Sequence, residues 1–278
     1  MMKRAILFAS VISMFAGAAH ASDLNVASVT ANVPFEFEDG SGNLVGFEVD
    51  LVNLIGERTG KKINYTQMPF NSIFATVQSG RADIAIGTVT ITDKRLESVA
   101  FTQPYYDADA CLTTSSNGDV KSLKDLNGKV LAVVTGTTGE MWATENKDKY
   151  GITEINRYDG VSEPMLDIAT GRVAAFVHDC PIDAYYIKDK PQYAIVDTIP
   201  TNEQFAIMLA KDSPLLLELD AVISKLKETV KSPVSMKNGS APHPPKIRAP
   251  LKCVQSPVSD RLLISKLPEK SPAILPDG

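Results

Sequence analysis

From Leu24 onward, short apolar runs alternate with stretches of helical period, and glycines punctuate the joins. Leu24 to Ser28 reads as a first strand that leads into Asn32, Val33, Pro34 and Phe35, and Gly40 to Gly46 carries hairpin turn chemistry. From Val49 to Thr59, Leu51, Leu54 and Ile55 repeat at helical spacing, with Gly60 where a C-terminal cap belongs. Lys62 to Gln67 alternates as a strand; Asn71 is placed to cap a short helix through Gln78, which Gly80 ends. Ile84, Ala85 and Ile86 form a short buried strand. Strand, helix, strand, helix, strand implies a parallel α/β sheet, whose ligands gather at the carboxyl ends of the strands.

After Tyr106 the rhythm restarts. Val130 to Val134 reads as a strand, followed by Gly136, Thr137, Thr138 and a helix from about Gly139. Ile155 to Tyr158 is a strand, Pro164 to Thr170 a helix, Ala174 to Val177 a strand and Pro181 to Lys188 a helix. This second α/β unit repeats the architecture of the first without a close sequence repeat. Phe205 to Leu209 is a further strand, and Ser213 with Pro214 opens a helix whose apolar stripe is Leu215, Leu219, Val222 and Leu226. From Lys231 the periodicity stops: nine prolines fall between Pro233 and Pro276, a linker-like or disordered composition.

With 278 residues the chain fits one large domain or two of moderate size. Residues 1–21 have the form of a secretory signal: Lys3 and Arg4, an apolar run from Ala5 to Gly17 too short to span a bilayer, then Ala19, His20, Ala21 as a cleavage site. No Cys follows, so the expectation is a soluble protein cleaved before Ser22, without a lipid anchor, in the bacterial periplasm. Between Ser22 and Val230 there are 18 basic and 30 acidic side chains, a balance that repels nucleic acid and anionic membranes. Cys111, Cys180 and Cys253 fit neither zinc nor redox spacing; Cys111 and Cys180 are expected as small apolar fillers, with a bridge between them as the alternative an oxidising compartment allows.

Candidate chemistry concentrates in Ile84 to Tyr106. Thr88, Thr90 and Thr92 alternate behind the short strand, and Arg95 follows. An arginine beyond a Gly/Thr-rich turn suits a ligand carboxylate, which it grips through two parallel hydrogen bonds; the plainer alternative is a surface Arg on a polar loop. The GTTGE run at 136–140 joins a strand to a helix and can meet an anion or serve as a capping turn, but it lacks the Gly-Lys-Ser/Thr of a nucleotide loop. Asp179 ends a strand and is either a helix N-cap or a carboxylate facing a ligand ammonium. His178 beside it makes no catalytic pair: no activated nucleophile is evident, and neighbours on a strand point to opposite faces. The histidines and cysteines form no metal set.

The pattern of Gly80, Asp83, Thr92, Arg95, Phe101, Thr102, Pro104, Tyr105 and Tyr106 resembles that of periplasmic solute-binding proteins of polar amino acid ABC transporters, bacterial extracellular solute-binding protein family 3, with Thr102 replacing the usual Ser. The resemblance continues upstream in PFEFEDGSGNLVGFEVDL and downstream in GTTGE and GRVAAFVHD, from Leu24 to Val230. It implies an α/β, two-lobed Venus flytrap, each lobe a mixed, mainly parallel sheet flanked by helices. Lobe one would hold residues 22–107 and 204–230, and lobe two 108–203, with hinge crossings near Asp107 to Ala110 and Ile199 to Gln204. Related proteins continue past the Glu228 position with a Gly, a Tyr and a Lys-Trp-Phe; here 231–278 looks like a replaced, basic C-terminus.

The resemblance also assigns roles. Arg95 and Thr138 would hold a ligand carboxylate, Asp179 the ammonium, and Thr88 and Thr90 both groups. Asn32 falls where many relatives carry an aromatic residue, and Phe70 at another pocket position. Val29 stands where binders of basic amino acids carry an acid, which implies a polar or small neutral ligand, neither lysine-like nor arginine-like. The expected protein is a monomeric, cofactor-free binding subunit that performs no chemistry and hands its amino acid to an inner-membrane ABC permease and its ATPase. Two alternatives use the same scaffold: a periplasmic dehydratase of the cyclohexadienyl or arogenate kind, which needs a general acid in the cleft, and a ligand-sensing partner of a receptor.

Overall fold

The structure, a computed structural model, describes residues 23–231. The expected signal at 1–21 and the tail past 231, with Cys253, lie outside the described residues. In chain order the elements are β1 (Leu24–Ser28), β2 (Phe37–Glu38), β3 (Leu44–Val45), α1 (Phe47–Thr59), β4 (Ile63–Gln67), α2 (Phe70–Gln78), β5 (Ile84–Ile86), α3 (Asp93–Leu96), β6 (Val99–Phe101) and β7 (Tyr106–Ser115). There follow β8 (Val130–Val134), α4 (Thr138–Glu145), α5 (Lys147–Tyr150), β9 (Glu154–Tyr158), α6 (Ser162–Thr170), β10 (Ala175–Asp179), α7 (Cys180–Ile187), β11 (Tyr193–Phe205), β12 (Met208–Ala210) and α8 (Leu216–Lys231).

Two five-stranded sheets carry the two lobes, in the orders β4-β1-β5-β12-β6 and β11-β7-β10-β8-β9, while β2 and β3 form a hairpin. In each large sheet four strands point one way and one, β12 in the first and β7 in the second, runs against its two neighbours, so the sheets are mixed and mainly parallel. β5, β8 and β10 are almost wholly buried, as continuous apolar strands covered on both faces should be. Helix α1 ends on Gly60 in the left-handed conformation, and α2 begins one residue before Asn71, so Asn71 lies in its first turn and does not cap it.

The lobes are joined by an antiparallel ribbon. β7 and β11 pair from Ser115↔Tyr193 to Tyr106↔Phe205, with an irregularity between Ile199 and Glu203. There Asn202 takes φ 51° and donates its amide to Asp109 Oδ1 at 2.9 Å. The strand expected over Phe205 to Leu209 is thus two: Phe205 ends β11, and Met208 starts β12 in the first sheet. Helix α8 returns to that sheet with Leu219, Ile223 and Leu226 buried, and its Asp220 and Ser224 bind Gln103 at 2.7 Å each. Its stripe turns on Ile223, with Val222 only half-buried.

Cys111 and Cys180 are joined by a disulfide across a sequence separation of 69, which overturns the expectation of two apolar fillers. Compartment chemistry, not spacing, carried the right alternative.

Candidate functional site

The site is assembled from carboxyl ends of parallel strands in both sheets. Beyond β5, Gly87 lies so close to β1's exit that a Cβ would stand 2.6 Å from the Val29 side chain. Thr88 then adopts φ 51°, a conformation that costs a β-branched residue on the order of 1 kcal/mol or more. Glu48, fully buried in the first turn of α1, holds it there: both carboxylate oxygens accept the Thr88 N–H at 3.1 Å, and the Tyr105 hydroxyl donates to the same carboxylate. The strained turn is therefore fixed from behind by a buried acid.

Thr92 caps the short helix α3 by accepting from Arg95 N at 3.2 Å, and α3 swings Arg95 back into the cleft, 5% exposed. Its Nη1 donates to Thr90 O at 2.6 Å, and its Nη2 reaches Gly136 O of the second lobe at 3.1 Å. The guanidinium lies against the Phe70 and Phe74 rings at 5.4 and 5.1 Å, and its Nε has no partner. Burial lowers the Arg95 pKa to about 10, against the pull of Glu203 and Asp179, so it stays charged at neutral pH.

From the second lobe, β8 ends at Val134 and α4 begins at Thr138, with Thr137 as its cap. Gly139 packs on β10 so tightly that a Cβ would meet Val177 O at 2.6 Å. Glu140 accepts Gly136 N at 2.6 Å and pairs with Arg157 at 2.5 Å, which fixes the loop. Asp179 stands at the N-cap position of α7, yet its side chain makes no cap hydrogen bond. Burial lifts its pKa to about 7; His178 and Arg95 pull it down, while Glu203 and Asp183 push it up. Among the described residues Arg95 and Asp179 form no ion pair with each other.

Arg95, Thr88, Thr90, Asn32 and Phe70 from the first lobe and Thr138 and Asp179 from the second all line one cavity. His178 lines it as well, contrary to the expectation that it points away from Asp179: β10 ends at Asp179, where strand alternation gives way to the helix cap. Burial presses His178 toward neutrality, but its 3.1 Å bond to Asp183 and the charges of Asp179, Asp183 and Glu203 outweigh this and raise its pKa. The sequence reading also leaves out Glu203, on β11. One of its oxygens, Oε2, accepts from Thr90 Oγ1 at 2.7 Å and Thr138 Oγ1 at 3.0 Å, one hydroxyl from each lobe. Nothing local in the sequence marks Glu203, because its partners lie 113 and 65 residues away. Among the described residues, no group of three His, Cys, Asp or Glu is arranged to hold a metal ion, and no helix is long and apolar enough to cross a membrane.

Sequence and fold comparisons place the chain among known proteins. The family described as Bacterial extracellular solute-binding proteins, family 3, matches residues 24–232. A protein of Neisseria gonorrhoeae named probable histidine-binding protein is 31% identical over 209 residues, covering 73% of this chain and 78% of its own. The Escherichia coli K12 ABC transporter arginine-binding protein 1 is 26% identical over 222 residues, 78% of this chain and 90% of its own. An ancestral arginine-binding protein superposes with TM-score 0.71 bound to arginine and 0.69 bound to glutamine, at 31% identity in both. Those two structures cover 75% and 74% of this chain and 94% and 92% of their own.

Proposed function

Since the chain belongs to the bacterial extracellular solute-binding proteins, family 3, we propose that it captures one L-α-amino acid between its lobes and delivers it to an ABC transporter. The observation that carries this reading is the convergence of a buried guanidinium and a buried carboxylate, from opposite lobes, on one cavity without pairing to each other. An α-amino acid carries the matching charges. Its carboxylate meets Arg95, whose Nε is free, and the leading amides of α4 beside Thr138; its ammonium meets Asp179 and the Thr88 and Thr90 oxygens. Residues 22–107 with 204–230 form the lobe carrying Arg95, and 108–203 the lobe carrying Asp179. Only a closed cleft satisfies both ends of the ligand, so binding selects closure.

Asn32, Phe70 and Val29 receive the side chain, and the absence of a charge at Val29 favours a polar or small neutral one. The protein works as a periplasmic monomer after loss of residues 1–21, and its closed form is read by an inner-membrane permease with its ATPase. It performs no chemistry of its own. The test is a thermal-shift and calorimetric screen of the mature chain against the twenty amino acids. A ligand at about a hundred times its dissociation constant adds about 2.7 kcal/mol of stability. The expected outcome is a shift with a chemically related group of neutral amino acids, and its loss in Arg95→Ala. A cooperative melt that no amino acid moves refutes the reading.

A further inference from the structure

The hydrogen bonds around the cavity run in one direction. Thr88 Oγ1 donates to Gly87 O and Thr137 Oγ1 to Val134 O, each at 2.7 Å, while Thr90 and Thr138 both donate to Glu203. A hydroxyl has one proton, so all four threonines face the cavity with lone pairs alone. Asn32 is fixed in the same sense. Its Nδ2 donates to Glu36 Oε1 at 2.6 Å and lies 3.4 Å from Thr88 Oγ1, which leaves its Oδ1 as the free atom. Glu36 is fully buried, and burial together with the neighbouring Glu48 holds its carboxyl well above the usual range. Its Oε2 is buried without a partner, while its Oε1 accepts from Asn32.

Arg95 and His178 are the lining side chains left with N–H to give, and Asp179 and Asp159 add further acceptors. The adjoining cavity, past Val29, carries the carboxylates of Asp159 and Glu163 and no Lys or Arg. An α-carboxylate occupies Arg95, and an α-ammonium has three N–H to share among Asp179 and the nearest threonines. The acceptors that remain, Asn32 Oδ1 first, need donors from the ligand's side chain.

We infer that Glu203 and Glu36 act as positioning residues that turn the wall of the cleft into acceptors, and that the ligand is accordingly an amino acid whose side chain ends in N–H donors, a carboxamide above all, and not in a carboxylate. This rests on the amino-acid reading above. A side-chain carboxylate would set acceptor against acceptor with no proton between them, whereas a carboxamide of the same shape supplies two.

The discriminating experiment is titration calorimetry of the mature chain with all twenty amino acids, in which glutamine against glutamate and asparagine against aspartate are the isosteric pairs. The tightest ligand is expected to carry a side-chain N–H, and to exceed its carboxylate counterpart or, where it has none, glutamate by at least about a hundredfold. A tightest ligand without such a donor, or glutamate within tenfold of it, overturns the inference while leaving amino-acid binding intact. Binding of none of the twenty overturns both. Glu203→Gln separates positioning from mere support: an amide there can donate to a threonine, free a hydroxyl proton and narrow the ratio by about tenfold. A uniform loss for every amino acid removes Glu203 from this role. Should that variant lose its cooperative melt, Thr138→Val removes one of the same acceptors at similar volume and is held to the same two outcomes.

Discussion

Asp179 shows what burial does to a single carboxyl. Its pKa near 7 means that a large share of the empty protein carries a proton there at neutral pH, whereas an ammonium partner needs the ion. Affinity for the amino acid found by the screen is therefore expected to fall as pH drops below about 7, approaching tenfold per unit. Calorimetry between pH 5.5 and 8 checks this; Asp179→Asn should bind weakly with little slope. The sign reverses for the empty chain. The folded state holds a proton that the unfolded chain, with its Asp pKa near 3.9, has released, so this group adds stability to the ligand-free protein as pH falls from about 7 toward 4. A ligand-free melting temperature that rises with pH across that window in wild type, relative to Asp179→Asn, would count against the assignment. Asp179 itself was legible, as a carboxylate ending an apolar strand. Glu36, Glu48 and Glu203 were not, because in sequence a buried acid looks like any other until its distant partners are known.

At the scale of elements, the seat of α4 on β10 is as tight as that of Gly87 on Val29, and here the neighbour is backbone. Gly139→Ala should push the helix start away from Val177 O, lower stability by about 1–3 kcal/mol and weaken ligand binding by displacing Thr138. Urea denaturation and calorimetry on one preparation measure both; an unchanged midpoint would show that the strand yields. The buried strands β5, β8 and β10 could be read from their apolar runs. β7 and β11 could not: Tyr106 to Ser115 opens with two aspartates, and Tyr193 to Phe205 contains Pro200, Asn202 and Glu203, composition that argues for a loop. They are strands because they pair with each other, β11 lying at the sheet edge where a proline is tolerated.

Across the whole molecule, two rounds of strand and helix marked two α/β units, the family resemblance implied the two-lobed plan, and the disulfide adds a tie that neither specified. It fastens Cys111 of the β7 ribbon to the residue after Asp179, so the proposed ammonium site and the connection between lobes move as one piece. The Cys111→Ser, Cys180→Ser double variant is expected to lose about 2–4 kcal/mol in urea denaturation, as is the wild type under reductant. Equal midpoints in all three would mean that the bridge constrains little.

The sheet order β4-β1-β5-β12-β6 also dictates a sequence of assembly. β12 lies between β5 and β6, yet its residues, 208–210, leave the ribosome about a hundred residues after both. Until they emerge, β6 has no neighbour and β5 has an open side, whereas every strand of the other sheet is contiguous within residues 106–205. A chain emerging from its amino end can complete the second sheet while the first still waits, and one cut short before Met208 leaves the first sheet split through its middle.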